Sequence, residues 1–445
     1  MALRDPPPGG SAFPAESLFP RPDAEQSRGW DRFSPLPDRV FPLPKRFRAA
    51  LPRDVVELSR LLTAGRGDRQ EGYLGRPEFL SAYLRYFLPW NLYRLTRLLP
   101  ALSLDLAGGD LIIDLGSGPL TMVLALWLSR PGLRDMPLEF RCIDRTGAVL
   151  EAGKKLFFAL AGPDSPWRIK TIRAGLGEGL RFSGAALVSA LNVFNESYWS
   201  IPEAHREAFR QGAEKNARLL VSLAAKTGAI LVAEPGVPRS GEFIAALRAA
   251  LITLGYPPRS PCPHAGVCPL PGGVLPGSPS RTARPSGAKG KWCHFAFDTE
   301  DAPAELLRLS AAAGLPKDRV TLSFLLAGPS GAVGAALPAG GPLSVGEAGF
   351  PAAGEPLAVR IVSDPFPLTG APPGRGGKAG TGEKAGTGGH YGRYGCSARG
   401  LVLVTGGRGA IGGQESGTLL RLTPEEPERR DSKSGALILE LKSIR

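Results

Sequence analysis

Cysteine is scarce, with five in 445 residues. That is too few to staple a chain of this length, so a disulfide-framed secreted scaffold is excluded, and the cysteines read as reducing-compartment residues with metal binding or catalysis as their use. A long apolar run is missing as well. Crossing a bilayer takes about 18 or more consecutive apolar residues, whereas the longest clear stretch, 120–128, is helix-sized and contains Thr121. The opening residues, MALRDPPPGGSAFPAES, have no apolar h-region and carry acids early, so they read as neither a secretory signal nor a typical transit peptide. A cytoplasmic protein is the expectation. Acids are in deficit: 41 Asp and Glu stand against 54 Lys and Arg, a formal net charge of +13 with a pI near 9.7, which favours a polyanionic partner such as RNA. What the chain has in excess is glycine and proline, 58 and 44 residues, above the usage of folded domains, so some segments are linkers. At about 100–200 residues per domain, the length allows two or three.

Ten prolines fall within the first 45 residues, a density that blocks helices and central strands, so 1–48 reads as an irregular arm. Over 49–107 apolar residues recur at helical spacing: Val55, Val56, Leu58, Leu61 and Leu62, then Phe79, Leu80, Tyr83, Leu84, Phe87 and Leu88. Pro89 interrupts this segment, and a helix resumes with Arg94 and Arg97 on its polar side. From 110 onward short apolar runs (111–115, 139–143, 168–172, 186–189, 230–233, 320–326) alternate with helical stretches. This is the pattern of a parallel sheet covered on both faces, so 108–328 reads as an α/β domain. A cysteine-bearing insertion occupies 258–298. Linker composition follows at 329–356, and the remainder, 357–445, holds four strand-like runs (357–363, 401–405, 418–422, 436–441) that define a small β-domain.

The first motif with chemical content is Asp114-Leu-Gly116-Ser117-Gly118-Pro119, which closes an apolar strand and opens a helix. Two glycines let the backbone turn sharply and let a ligand approach with no Cβ in the way. A dinucleotide fingerprint would need a third Gly or Ala at 121, where Thr121 stands. The form D-x-G-x-G resembles motif I of class I S-adenosylmethionine-dependent methyltransferases. That resemblance implies Asp114 near the ligand's amino group and the loop of Gly116, Ser117 and Gly118 against its amino-acid and ribose portions. The next strand ends in Asp144, 28 residues after Gly116, where a carboxylate can accept hydrogen bonds from two ribose hydroxyls. Asn192, after the fourth strand, is a further candidate for positioning ligand or acceptor, with Glu234 after the fifth a weaker one.

Cys142 lies inside a strand and reads as a buried apolar residue. The other four stand outside the expected strands and read as metal ligands: Cys262 and Cys268 in P-C-P-H-A-G-V-C-P, Cys293 in K-W-C-H-F, and Cys396 in Y-G-C-S. A zinc knuckle prefers two to four residues between paired cysteines, and here five separate the first two. Spacing therefore chooses no metal: four thiolates suit zinc and iron–sulfur clusters alike, and His264 and His294 can substitute in a zinc site.

The combination of D-L-G-S-G-P, A-E-P-G-x-P-R-x-G (233–241), C-P-H-x(3)-C-P, K-W-C-H-F and a late single cysteine, with AYLRYFLPWNLYRL (82–95) upstream, resembles the small-ribosomal-subunit methyltransferase-like family known from mitochondria and bacteria. The resemblance implies a Rossmann-like class I methyltransferase domain preceded by a helical segment. It also implies a 4Fe-4S cluster on Cys262, Cys268, Cys293 and Cys396, with zinc as the alternative, and a monomer without membrane attachment whose partner is the small ribosomal subunit and its rRNA. The compartment is then the bacterial cytoplasm, or the mitochondrial matrix in a eukaryote. Leu92-Tyr93-Arg94 also matches a tripeptide that eukaryotic cluster-delivery factors read. Arg281, Arg284, Lys289 and Lys291 add cations for RNA contact. Two functions follow. One is methyl transfer to RNA, a direct displacement that mainly requires proximity and alignment, so that no catalytic residue stands out. The other is a non-catalytic assembly factor that keeps the fold, favoured by the lack of an N-P-P-Y motif near Asn192.

Overall fold

The computed structural model describes residues 17–63, 72–177, 179–180, 182–202, 204–273, 291–329, 355–368 and 390–441. The chain divides into two compact units, one of residues 18–348 and one of 1–17 with 349–445.

The first unit opens with helices where an irregular arm was expected: α1 (Ala24–Phe33), α2 (Leu36–Val40) and α3 (Lys45–Leu62). Several prolines sit at the helix margins, where their missing N–H costs nothing, while Pro52 lies inside α3. Pro35 and Pro44 cap α2 and α3. Asp23 caps α1 through Glu25 N and Gln26 N at 2.9 and 2.8 Å, and Gln26 returns the bond to complete a capping box. The proline-rich stretch 1–16 lies outside the described residues.

Next come α4 (Pro77–Ala82) and α5 (Leu88–Leu98), joined by a π-helical turn, Tyr83–Phe87. There the Leu88 N–H reaches the Tyr83 carbonyl five residues back, just ahead of Pro89, which has no N–H to continue the regular ladder. Arg97, expected on a polar face, is buried: it forks onto Asp301 at 2.9 Å and reaches the carbonyls of Phe19 and Pro20.

The sheet follows as β1 (Leu111–Leu115), α6 (Thr121–Ser129), β2 (Glu139–Asp144), α7 (Gly147–Ala161), β3 (Arg168–Arg173), β4 (Ala185–Leu191), α8 (Asn195–Tyr198), α9 (Arg206–Leu223), β5 (Ala224–Pro235), α10 (Pro238–Thr253), β6 (Pro258–Ser260), β7 (Phe295–Asp298), α11 (Ala304–Ala312) and β8 (Arg319–Ala327). Its order is β3-β2-β1-β4-β5-β8-β6, with β7 also on β8. The strands β1 to β5 run parallel, and β8 returns antiparallel to β5. Ile113, Val188, Ile230 and Val232 pack beneath Leu220, Phe243, Leu247 and Leu251 of α9 and α10. Helix α6 is apolar all round because α1, α5, α7 and β4 enclose it. Among the described residues no helix is long and apolar enough to cross a membrane.

The second unit is built from β9 (Leu357–Ile361), β10 (Phe366–Pro367), β11 (His390–Ser397), β12 (Gly400–Gly407), α12 (Arg408–Gly412), β13 (Leu419–Leu422) and β14 (Leu437–Glu440). The order is β13-β9-β11-β12-β14, with β10 on β11, over a core of Val359, Ile361, Val402, Val404, Ile411 and Leu439. Cys396, expected outside the strands, lies within β11, paired with Leu401 and Arg360. Of the linker expected at 329–356, residues 330–354 fall outside the described residues, as do 369–389.

Candidate cofactor cleft

In the first unit the strand order reverses between β1 and β4, and open α/β sheets bind ligands at the carboxyl ends of the strands beside such a switch point. A cleft of about 1830 Å3 lies there. Its floor is the turn after β1, where Gly116 and Gly118 take φ of +63° and +53°, values open to glycine at little steric cost. The turn is fastened from two sides. Ser117 N–H donates to the Ile143 carbonyl at 2.9 Å and Gly118 N–H to Asp144 Oδ2 at 3.0 Å, while Asp144 Oδ1 accepts from Thr146 N–H at 2.8 Å. Burial raises the Asp144 carboxyl above its ordinary range, opposed by those two backbone donors.

Four of the six cofactor candidates, Gly116, Gly118, Asp144 and Asn192, line this cleft. Asp114 and Ser117 do not. The Asp114 carboxyl lies behind the loop, accepting from the hydroxyls of Ser117 and Ser189 at 2.6 Å each, and burial lifts it to about 6. It braces the turn. The register of β1 on β4 sets Asp114 opposite Ser189, a partner 75 residues away.

Two further close approaches hold the floor. A Cβ on Gly116 would stand 2.3 Å from Val193 Cγ2, and one on Gly153 of α7 would stand 2.3 Å from the Pro119 carbonyl carbon. Gly153 thus supplies the tight helix-to-loop packing for which dinucleotide-binding folds use a third glycine of the loop. Its signal in the sequence was a lone glycine inside a helical pattern.

Beside β4 and β5 the wall is polar. Asn192 has φ of +56°, a left-handed conformation that Asn tolerates better than most residues. Glu234, at the end of β5, is buried and accepts from Phe194 N–H at 2.9 Å, Asn195 Nδ2 at 3.2 Å and Tyr198 Oη at 3.3 Å. Burial dominates those donors and pushes its carboxyl up to about 7, where it can take or release a proton near neutrality. Sequence reasoning undervalued it, because its three donors arrive from the segment 194–198 only on folding.

The opposite wall comes from α5 and its π-turn. Tyr83 Oη lies 3.9 Å from where a Cβ on Gly118 would stand. Trp90, Asn91, Arg94 and Lys317 complete this side. Leu92 and Tyr93 are buried, so the Leu-Tyr-Arg tripeptide is not displayed as a docking peptide.

Cys142 is fully buried in β2. Cys262, Cys268 and Cys293 are neighbours: the Cys293 thiol is raised well above its ordinary value by burial first and then by the charges of Cys262 and Cys268. Even so, among the described residues no group of three or more His, Cys, Asp or Glu side chains is arranged to hold a metal ion. Cys396 belongs to the second unit. Arg281, Arg284 and Lys289 lie outside the described residues.

No protein-family model matches the chain, and no curated protein does. Parts of the chain are similar to solved structures. A methyltransferase from Geobacter sulfurreducens in complex with S-adenosyl-L-homocysteine is 15% identical over 53% of this chain and 90% of that one, with a TM-score of 0.30. The magnesium protoporphyrin IX methyltransferase of Synechocystis with bound S-adenosylmethionine is 13% identical over 46% and 86%, TM-score 0.27. Aeropyrum pernix fibrillarin with S-adenosylmethionine is 17% identical over 38% and 67%, TM-score 0.25. At these values the likenesses assign neither ligand nor substrate. The sheet itself, with its parallel core and antiparallel β8, is a Rossmann-like α/β sheet.

Proposed function

We propose that the chain binds S-adenosylmethionine and works as a methyltransferase-like protein on, or bound to, small-subunit ribosomal RNA. One observation carries the cofactor assignment: a left-handed two-glycine turn and a strand-end carboxylate meet on one cleft at the switch point of the sheet. Gly118 leaves room for the ligand's amino-acid portion against the backbone, while Gly116 lets the turn close tightly against Val193. Asp144, which holds the loop with one bond to each oxygen, keeps further lone pairs for ribose hydroxyls. Asn192 faces the same space from β4.

The RNA acceptor is supported by the net charge of +13 and by the motif combination spread across the chain. In ribosome assembly and translation such a protein would act on the small subunit. The same motifs support an iron–sulfur cluster, with zinc as the alternative, on Cys262, Cys268, Cys293 and Cys396.

Calorimetry with S-adenosylmethionine tests the site. Gly116→Val puts a branched side chain on the cleft floor, and unchanged affinity in that variant would overturn the assignment. Labelled methyl groups reaching isolated small-subunit RNA would establish the enzyme. Binding without transfer would establish the assembly factor, a reading favoured by N-V-F-N at 192–195 in place of an N-P-P-Y motif.

A further inference from the structure

Arg94 and Lys317 stand half-buried in the cleft wall, and no described carboxylate pairs with either. Arg94 Nε donates to the Thr321 carbonyl at 3.0 Å, and Nη1 donates to the Trp90 carbonyl and Asn91 Oδ1 at 3.2 Å each. These bonds fix the guanidinium and leave Nη2 over. The Lys317 ammonium lies 5.9 Å from the ring centres of both Tyr86 and Trp90. Of the other deeply placed arginines of this unit, two are matched by acids, Arg97 by Asp301 at 2.9 Å and Arg85 by Asp38 at 2.7 Å, whereas Arg130 and Arg248 bond backbone carbonyls of the interior, away from the cleft. A desolvated cation without a counter-charge is costly. Here burial pushes Arg94 down to about 10 and lowers Lys317, which Arg94 lowers further.

Their place in the cleft sets them apart from the glycine turn and Asp144, with Asn91 and Tyr83 in between. Arg94 is bonded to Thr321, whose Cβ lies 2.5 Å from where a Cβ on Gly236 would stand. The pair therefore sits by β5 and β8, while the glycine turn and Asp144 sit by β1 and β2, with β4 between. Trp199, 42% exposed on the same cleft, offers a ring for stacking an unpaired base.

We propose that Arg94 and Lys317 form an oxyanion subsite on the acceptor side of the cleft, holding a phosphate of the RNA strand next to the nucleotide that enters. This rests on the RNA acceptor proposed above. Each phosphate of a single strand that the protein no longer neutralises lowers the slope of log affinity against log salt by about 0.7. Loss of a charge-assisted bond weakens binding about tenfold.

The test uses the full chain, a labelled single-stranded RNA of mixed sequence titrated across a range of salt, and S-adenosylhomocysteine titrated by calorimetry. R94M/K317M should show the reduced slope and the weakened RNA binding while binding S-adenosylhomocysteine normally, which also reports a native fold. R94K and K317R, which keep the charge, should retain the slope even if a methionine variant misfolds. Weakened S-adenosylhomocysteine binding with an unchanged RNA slope would mean that the pair holds the cofactor's carboxylate, and would overturn the proposal. An unchanged slope with both ligands bound normally would overturn it too. If the wild-type chain binds no RNA at all, the RNA acceptor itself falls and the subsite falls with it.

Discussion

Gly116 is where the fold and the cleft meet most tightly, and an alanine there should fail for two separable reasons. At φ of +63° an L side chain in the left-handed region costs about 1–2 kcal/mol. The new Cβ would also stand 2.3 Å from Cγ2 and 2.7 Å from Cβ of Val193, and overpacking of that kind costs about 1–3 kcal/mol. Together Gly116→Ala should destabilise the first unit by about 2–5 kcal/mol, a large share of the roughly 5–15 kcal/mol available to a domain. Because Val193 Cβ is itself too close, Val193→Ala would leave part of the clash, whereas Val193→Gly relieves it entirely. In a double-mutant cycle the packing part, about 1–3 kcal/mol, should reappear as coupling, with the backbone part remaining. Urea unfolding of the wild type, the two single variants and the pair measures it. Equal midpoints for Gly116→Ala and wild type, or additive effects in the pair, would refute the reasoning.

Glu234 is lifted to about 7 by burial, so the native state binds its proton more tightly than the unfolded chain does. The associated stability is full at acid pH and drains as pH rises towards about 7, by about 3 kcal/mol at most. Glu234→Gln should therefore gain stability relative to wild type between about pH 5 and about pH 8, and parallel curves would contradict it. Serine at Cys262, Cys268, Cys293 or Cys396 should bleach a brown, anaerobically purified protein, whereas Cys142→Ser should keep the colour; stoichiometric zinc without acid-labile sulfide would remove the iron–sulfur assignment. Asp301→Asn leaves the Arg97 guanidinium without its charge partner. With Asp301 itself 23% exposed, the loss should be about 2–3 kcal/mol, below that of a fully buried pair, and thermal unfolding reads it.

The sheet was legible because its strands are continuous apolar runs ending in turn residues, and the cleft floor because Gly116, Gly118 and Asp144 sit at the ends of two of them. Strand β11 was not, since H-Y-G-R-Y-G-C-S carries no apolar run. It is a strand because Gly395 lets it pass where a Cβ would stand 2.4 Å from Val359 Cγ1. The prolines of the N-terminal segment read as breakers of structure when several of them are its punctuation. Asp114 looked like a ligand contact because the family motif points it that way, but its position depends on Ser189, supplied by strand register. Arg94 and Arg97 looked solvated because a helix's own periodicity does not show what packs on its second face. That face became visible only when β8 and Asp301 were brought against it.

The π-turn at Tyr83–Phe87 carries a surplus residue within an otherwise helical segment and absorbs it locally. In an ordinary α-helix each residue turns the chain by about 100°, so the same residue carried in a regular helix would rotate everything downstream by that angle: Trp90 and Asn91 would leave the cleft, and Arg94 would part from the Thr321 carbonyl. A deletion within 83–87 that restores a regular helix should therefore leave the wall aimed as it is, whereas an insertion or deletion between Phe87 and Arg94 would re-aim its whole face at once. The wall is keyed by count as much as by composition.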